Sequence, residues 1–66
     1  MQLHFDKDAD ALYLKLDESA IVESEEVRPG VVLDFNSSDQ VVGIELLGIG
    51  KRISLEALKE VAVQVA

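Results

Sequence analysis

Apolar and polar residues alternate through most of the first 47 positions of this chain, and a period of two marks strands that bury one face of a sheet. In Met1–Phe5, Leu3 and Phe5 point one way while Gln2 and His4 point the other. In Ala11–Leu16, Leu12, Leu14 and Leu16 oppose Tyr13 and Lys15. Val31–Phe35 sets Val31, Leu33 and Phe35 against Val32 and Asp34, and Val41–Leu47 sets Val42, Ile44 and Leu46 against Val41, Gly43, Glu45 and Leu47. Ala20–Val27 is the weakest strand, because Glu23, Glu25 and Glu26 interrupt the β-branched Ile21, Val22 and Val27. A strand so charged suits a sheet edge, where charge blocks unwanted pairing.

Turn chemistry separates these segments. Asp6-Lys7-Asp8-Ala9-Asp10 is a short polar hairpin loop, and Asn36-Ser37-Ser38-Asp39-Gln40 is a second one. Arg28-Pro29-Gly30-Val31 spells a type II turn, with Pro fixing φ at the second position and Gly accepting positive φ at the third. Short strands with short connections predict an antiparallel β-meander of four to five strands over about 1–47. After Gly48-Ile49-Gly50 the period changes: Ser54 has the chemistry of a helix cap, Glu56 suits the first turn, and Ile53 and Leu58 have the spacing of a hydrophobic staple. Leu55, Leu58, Ala62 and Val65 then predict one C-terminal helix over about 54–64, packed on one face of the sheet. The alternation in Val61–Ala66 also allows an early helix end, or a sixth strand paired across a dimer. The expected fold class is α+β, and the face opposite the helix, with Tyr13, Val32, Val41 and Leu47, is the expected self-association surface.

With 66 residues and 7.2 kDa the chain has room for one small domain, residues 1–66. A domain of this length buries only about 60% of the surface its unfolded chain exposes, so it needs a further device for stability. Cys is absent and His4 is the one histidine, which leaves out disulfides, thiolate metal sites and any multi-histidine site within a monomer. Self-association, first of all a homodimer, is the remaining device. The formal net charge is -7, with -6 in residues 1–26, -2 in 27–50 and +1 in 51–66. Such a surface repels phosphate backbones, so no nucleic-acid partner is expected. No apolar run approaches the roughly 20 residues of a membrane helix, and no basic segment leads into an apolar stretch as a signal peptide would. The expectation is a cytoplasmic protein without a membrane partner.

The segments Asp10-Ala11-Leu12-Tyr13-Leu14, Glu26-Val27-Arg28-Pro29-Gly30-Val31-Val32-Leu33-Asp34 and Val41-Val42-Gly43-Ile44-Glu45-Leu46-Leu47 stand in an order and spacing that resembles the domain-of-unknown-function family 2283 (DUF2283), a group of small, mostly bacterial single-domain proteins. The similarity runs from Leu3 to about Arg52. It implies a compact β-rich domain with a C-terminal helix and, because the family has no established activity, no chemistry. Members are sometimes found as partners of small toxin-like proteins, so the resemblance also implies an antitoxin-like or accessory role. The chain departs from the family pattern after Leu47, where Gly48-Ile49-Gly50 stands in place of a common Ala-Ser pair before Lys-Arg.

Asp6-x-Asp8-x-Asp10 has the spacing of the first three ligands of a calcium loop, with Asp17 at the twelfth position. Ala11 stands where that loop needs Gly, and Leu12–Leu16 read as strand, so carboxylates that are solvated or cap backbone N–H groups are the plainer reading. A carboxylate metal-binding module using Asp6, Asp8 and Asp10 is the alternative function. Gly48-Ile49-Gly50-Lys51 has Glu45 and Arg52 where a phosphate loop needs Gly and Ser or Thr, which leaves a hinge. Nothing brings His4 to Ser19, Ser24, Ser37, Ser38 or Ser54, and Glu23 with Glu25 imply no pocket, so a small enzyme is the third reading. No catalytic residue and no cofactor is therefore expected. The leading expectation is a small acidic, non-catalytic protein-interaction module whose Glu23, Glu25 and Glu26 receive a small basic protein.

Overall fold

A strand at the centre of a sheet loses solvent on both edges, so the least charged strands belong there and a glutamate-rich one belongs outside. In a computed structural model, which describes residues 1–66, the chain follows that rule. β1 (Gln2–Asp6), β2 (Ala11–Lys15), β3 (Glu23–Arg28), β4 (Val31–Phe35) and β5 (Val41–Leu47) form one antiparallel five-stranded sheet in the order β1-β2-β5-β4-β3. The hairpin β1-β2 and the run β3-β4-β5 are each meander-like. They join with β5 between β2 and β4, whereas a strict meander would place charged β3 in the centre. Leu16–Val22 carries the chain across β5 and β4, about 14 Å at ordinary strand spacing. Its two ends are tied by Leu16 N–H donating to Val42 O and Val22 N–H donating to Phe35 O, each at 2.8 Å.

The turns follow their sequences. Gly30 has φ +80°, the left-handed value that the third position of a type II turn demands. Asn36 closes the β4–β5 loop as an Asx turn, its Oδ1 accepting from the N–H groups of Ser38 and Gln40 at 3.0 Å each. Asp6 does the same in the β1–β2 loop, accepting from Asp8 N–H at 3.0 Å and Ala9 N–H at 3.1 Å.

Register sorts the side chains onto two faces. Across the sheet, Phe5 pairs with Leu12, Leu12 with Leu46 and Leu46 with Val31, while Leu3, Leu14, Ile44 and Leu33 form the next row. Phe35 and Val42 extend this apolar face beside the β-bulge between β4 and β5. The opposite face carries His4, Tyr13, Glu45, Val32 and Glu26 in one row, and Gln2, Lys15, Gly43, Asp34 and Ser24 in the next. The apolar side chains that reach full burial are Val42, 2% exposed, and Ile49, 3% exposed. The large side chains of the two apolar rows are all left half-buried or more exposed.

The C-terminal helix is much shorter than its spacing predicts. A 3-10 turn, Ile49–Lys51, is followed by α1, which spans Leu55–Leu58 only. Ser54 caps it as expected, its Oγ accepting from Ala57 N–H at 3.1 Å, and Glu56 lies in its first turn. Beyond Lys59 every second residue is a valine, whose branched Cβ loses rotamer freedom in a helix, and the apolar stripe finds nothing to pack on. Residues 60–66 accordingly lie exposed and outside regular structure. Ile53 and Leu58, the expected staple pair, line one shallow cleft with Phe5. The helix therefore covers a corner of the apolar face, at β1, and leaves the rest open.

Candidate functional site

The polar face holds the one cluster of ionisable groups that the fold assembles from distant parts of the chain. Gly43 is the gap at its centre. Because Gly43 has no side chain, the Tyr13 ring can lean from β2 across β5 towards Asp34 on β4. A Cβ at Gly43 would sit 2.6 Å from Tyr13 Oη and 3.0 Å from Asp34 Oδ2. Asp34 is 1% exposed, and its Oδ1 accepts a short hydrogen bond, 2.5 Å, from Ser24 Oγ on β3. Its Oδ2 is buried without a hydrogen-bond partner. Glu45 stands on the same face, two residues along β5 from the position that pairs with Asp34.

A buried carboxylate oxygen without a donor is costly and asks for an explanation. Glu45 supplies one. Burial raises its carboxyl above the ordinary 4.5, and Asp34 raises it further, by accepting a hydrogen bond from the protonated form and by like-charge repulsion of the ionised one. The Tyr13 hydroxyl, beside Asp34 Oδ2 at the Gly43 gap, and a protonated Glu45 are the two neighbouring groups able to donate to Asp34. Tyr13 is held as a neutral phenol: burial raises it above 10.0, the charges of Asp34 and Glu45 add to that, and so does its hydrogen bonding to Asp34. Glu45 and Tyr13 are thus both held towards their protonated forms beside buried Asp34.

The family model of DUF2283, described as a protein of unknown function, matches residues 2–49. That is the whole five-stranded sheet, with Tyr13, Ser24, Asp34, Gly43 and Glu45 all inside the match. The chain belongs to the DUF2283 family. No curated protein and no solved structure matches it.

The other candidate residues of this DUF2283 chain are separately employed. Asp10, at φ +50°, ties the β1–β2 loop to the C-terminal segment. Its carbonyl oxygen accepts from Gly48 N–H at 2.8 Å and Ile49 N–H at 3.3 Å, and its Oδ1 accepts from Gly50 N–H at 2.8 Å. The glycine-rich segment is thus no free hinge. Its successive N–H groups are all taken up by Asp10, two by the backbone carbonyl and one by the carboxylate. Asp6 is likewise turned to backbone N–H groups, and no three His, Cys, Asp or Glu side chains stand together as a metal-holding group. His4 on β1 and Ser24 on β3 occupy opposite edges of the sheet. Glu23, Glu25 and Glu26 lie exposed on the β3 edge, as their charge predicts. The cleft beside Phe5, Lys7, Ile53, Leu55 and Leu58 holds about 250 Å³, small for an organic ligand. No helix is long and apolar enough to cross a membrane.

Proposed function

We propose that this DUF2283 protein is a non-catalytic protein-interaction module that receives a basic polypeptide along its β3 edge. The observation that supports this is the state of the edge itself. Glu23, Glu25 and Glu26 are all exposed there, and none of them is in an ion pair, since the ion pair of the molecule joins Lys15 to Glu18 at 2.9 Å. An edge strand offers a row of unpaired N–H and C=O groups to an added strand. Glu23 and Glu25 lie on one face of β3 and Glu26 on the other, so an added strand would meet carboxylates on both sides. Lys and Arg at alternate positions of the partner would match them, and the net charge of -7 would speed encounter. A cytoplasmic setting and an antitoxin-like or accessory role, as restraint of a small basic protein, belong to the same reading.

Gentle purification of the tagged protein from its own host, followed by native mass spectrometry, identifies the partner. The triple variant E23K/E25K/E26K should then lose that partner's affinity by about tenfold to a hundredfold while keeping its circular dichroism spectrum, as expected for rim charges worth several tenths of a kcal/mol each. Undiminished affinity in the triple variant would refute the β3 assignment.

A further inference from the structure

We infer that a second copy of this chain packs on the open apolar face, sheet on sheet, and that the protein works as a two-layer dimer. The proposal does not rest on the β3 edge, but it shares a face with it: Glu23 and Glu25 stand at the rim of the apolar face, opposite Phe35 and Leu33.

Leu3, Phe5, Leu12, Leu14, Leu33 and Ile44 lie on one face of a five-stranded sheet, and none of them reaches full burial. The alternation in each strand predicts this face as a core, and one short helix at the β1 corner cannot make it one. The amount of surface points the same way. The chain exposes 5163 Å², about 1,000 Å² more than a folded monomer of its mass is expected to expose, an excess to which both the open apolar face and the exposed residues 60–66 contribute. A standard interface takes about 800 Å² from each partner. The radius of gyration is 12.7 Å, against about 10.8 Å for a compact domain of this length. Disulfides are excluded because the chain has no Cys, and no metal-holding group is present to staple the sheet. The opposite face is a poorer candidate, because Tyr13, Asp34, Glu45, Lys15 and Glu26 make it polar.

Two twisted sheets with apolar inner faces pack about 10 Å apart with strands nearly aligned. Charge selects between the two ways of stacking them about a two-fold axis. An axis across the strands would place β3 on β3 and set Glu23 and Glu25 against their own copies. An axis along the strands places β5 on β5 and β3 over β1 of the partner, keeping those carboxylates apart. Ile44, on the central strand and in the middle row, then lies beside the axis.

Sedimentation equilibrium combined with thermal melts tests this on the wild-type chain and on two variants. The wild type should sediment at twice the 7.2 kDa chain mass, and its melting temperature should rise by about 5 °C for each tenfold increase in concentration. L3K/L16K changes two apolar-face residues already 44% and 38% exposed in the single chain. It should shift the equilibrium towards monomer by a hundredfold or so, at about 1.4 kcal/mol per tenfold. L47K, at 45% exposed on the polar face, should leave the dimer unchanged. A wild type that stays monomeric, with a melting temperature independent of concentration, overturns the proposal without any variant. So does a dimer that L47K breaks and L3K/L16K does not.

Discussion

Gly43 shows how a single absent side chain organises a face. An isolated glycine inside a strand weakens it, unless something needs the space. Here the Tyr13 phenol occupies the place a Cβ would take, 2.6 Å from its oxygen. Gly43→Ala should therefore push the ring off Asp34 and cost about 1–3 kcal/mol, as overpacking does. The cost should fall by about 1 kcal/mol or more in a Tyr13→Val background, since valine does not reach across β5. Chemical denaturation of the four proteins measures that coupling, and equal costs in both backgrounds would show that Tyr13 does not own the space.

Glu45 makes the second residue-level test. Its carboxyl is raised in the folded protein, first by burial and then by Asp34, so protonated Glu45 favours the fold. That contribution is fully present below the unfolded value near 4.5 and is lost as pH rises through the folded one. The groups around it are Tyr13 on β2 and Asp34 on β4, with Lys15 and Glu26 farther along the face. Glu45→Gln supplies a permanent donor to Asp34. Relative to wild type it should gain about 0.5–1.5 kcal/mol at pH 7 to 8, and the gain should vanish at pH 4. A difference between the two proteins that is independent of pH would contradict the shared proton. Asp17 shows the opposite case: hydrogen bonds from Ser19 lower its carboxyl, so that small contribution is lost as pH falls.

At the scale of elements, the strands were legible and their order was not. Alternation located β1, β2, β4 and β5 to within a residue or so, because each buries one face. It could not show that β5 pairs with β2. That pairing depends on which strands tolerate the centre, and the glutamates of β3 carried the clue. A charged strand at an edge and a strict meander are incompatible, and the edge requirement won. The helix was overread because Leu55, Leu58, Ala62 and Val65 match a helical stripe by spacing, while Val61, Val63 and Val65 match a strand equally well. The cluster on the polar face was missed for the same reason as the order. Tyr13, Asp34 and Glu45 become neighbours only once β5 lies between β2 and β4, and Gly43 within a strand was the one local sign of it. Asp10 is an element-scale connector that the calcium-like spacing disguised. Asp10→Ala removes the Oδ1 bond to Gly50 N–H and places a side chain poorly suited to φ +50°. It should cost about 1–2 kcal/mol and release amide-exchange protection at Gly50, whereas Asp10→Asn, which keeps an acceptor and tolerates that φ, should cost little. Equal losses in the two variants would mean that the loop is not held by that oxygen.

For the whole molecule, the decisive quantity is how little of the chain is out of water. Val42 and Ile49 are the apolar side chains that the single chain buries fully, too few to offset the conformational entropy of ordering a sheet of this size. A second copy on the apolar face converts the half-buried leucine rows into a core, with Glu23 and Glu25 at its rim, and leaves the polar clusters facing outward. The most direct measurement is an isotope-filtered NOE experiment on a mixture of labelled and unlabelled chains. Cross-peaks between copies from the methyl groups of Leu14, Leu33, Ile44 and Leu46, with the Tyr13 ring silent, are the expected result. Cross-peaks between copies confined to the Tyr13 face, or none from a sample held at millimolar concentration, would contradict the account.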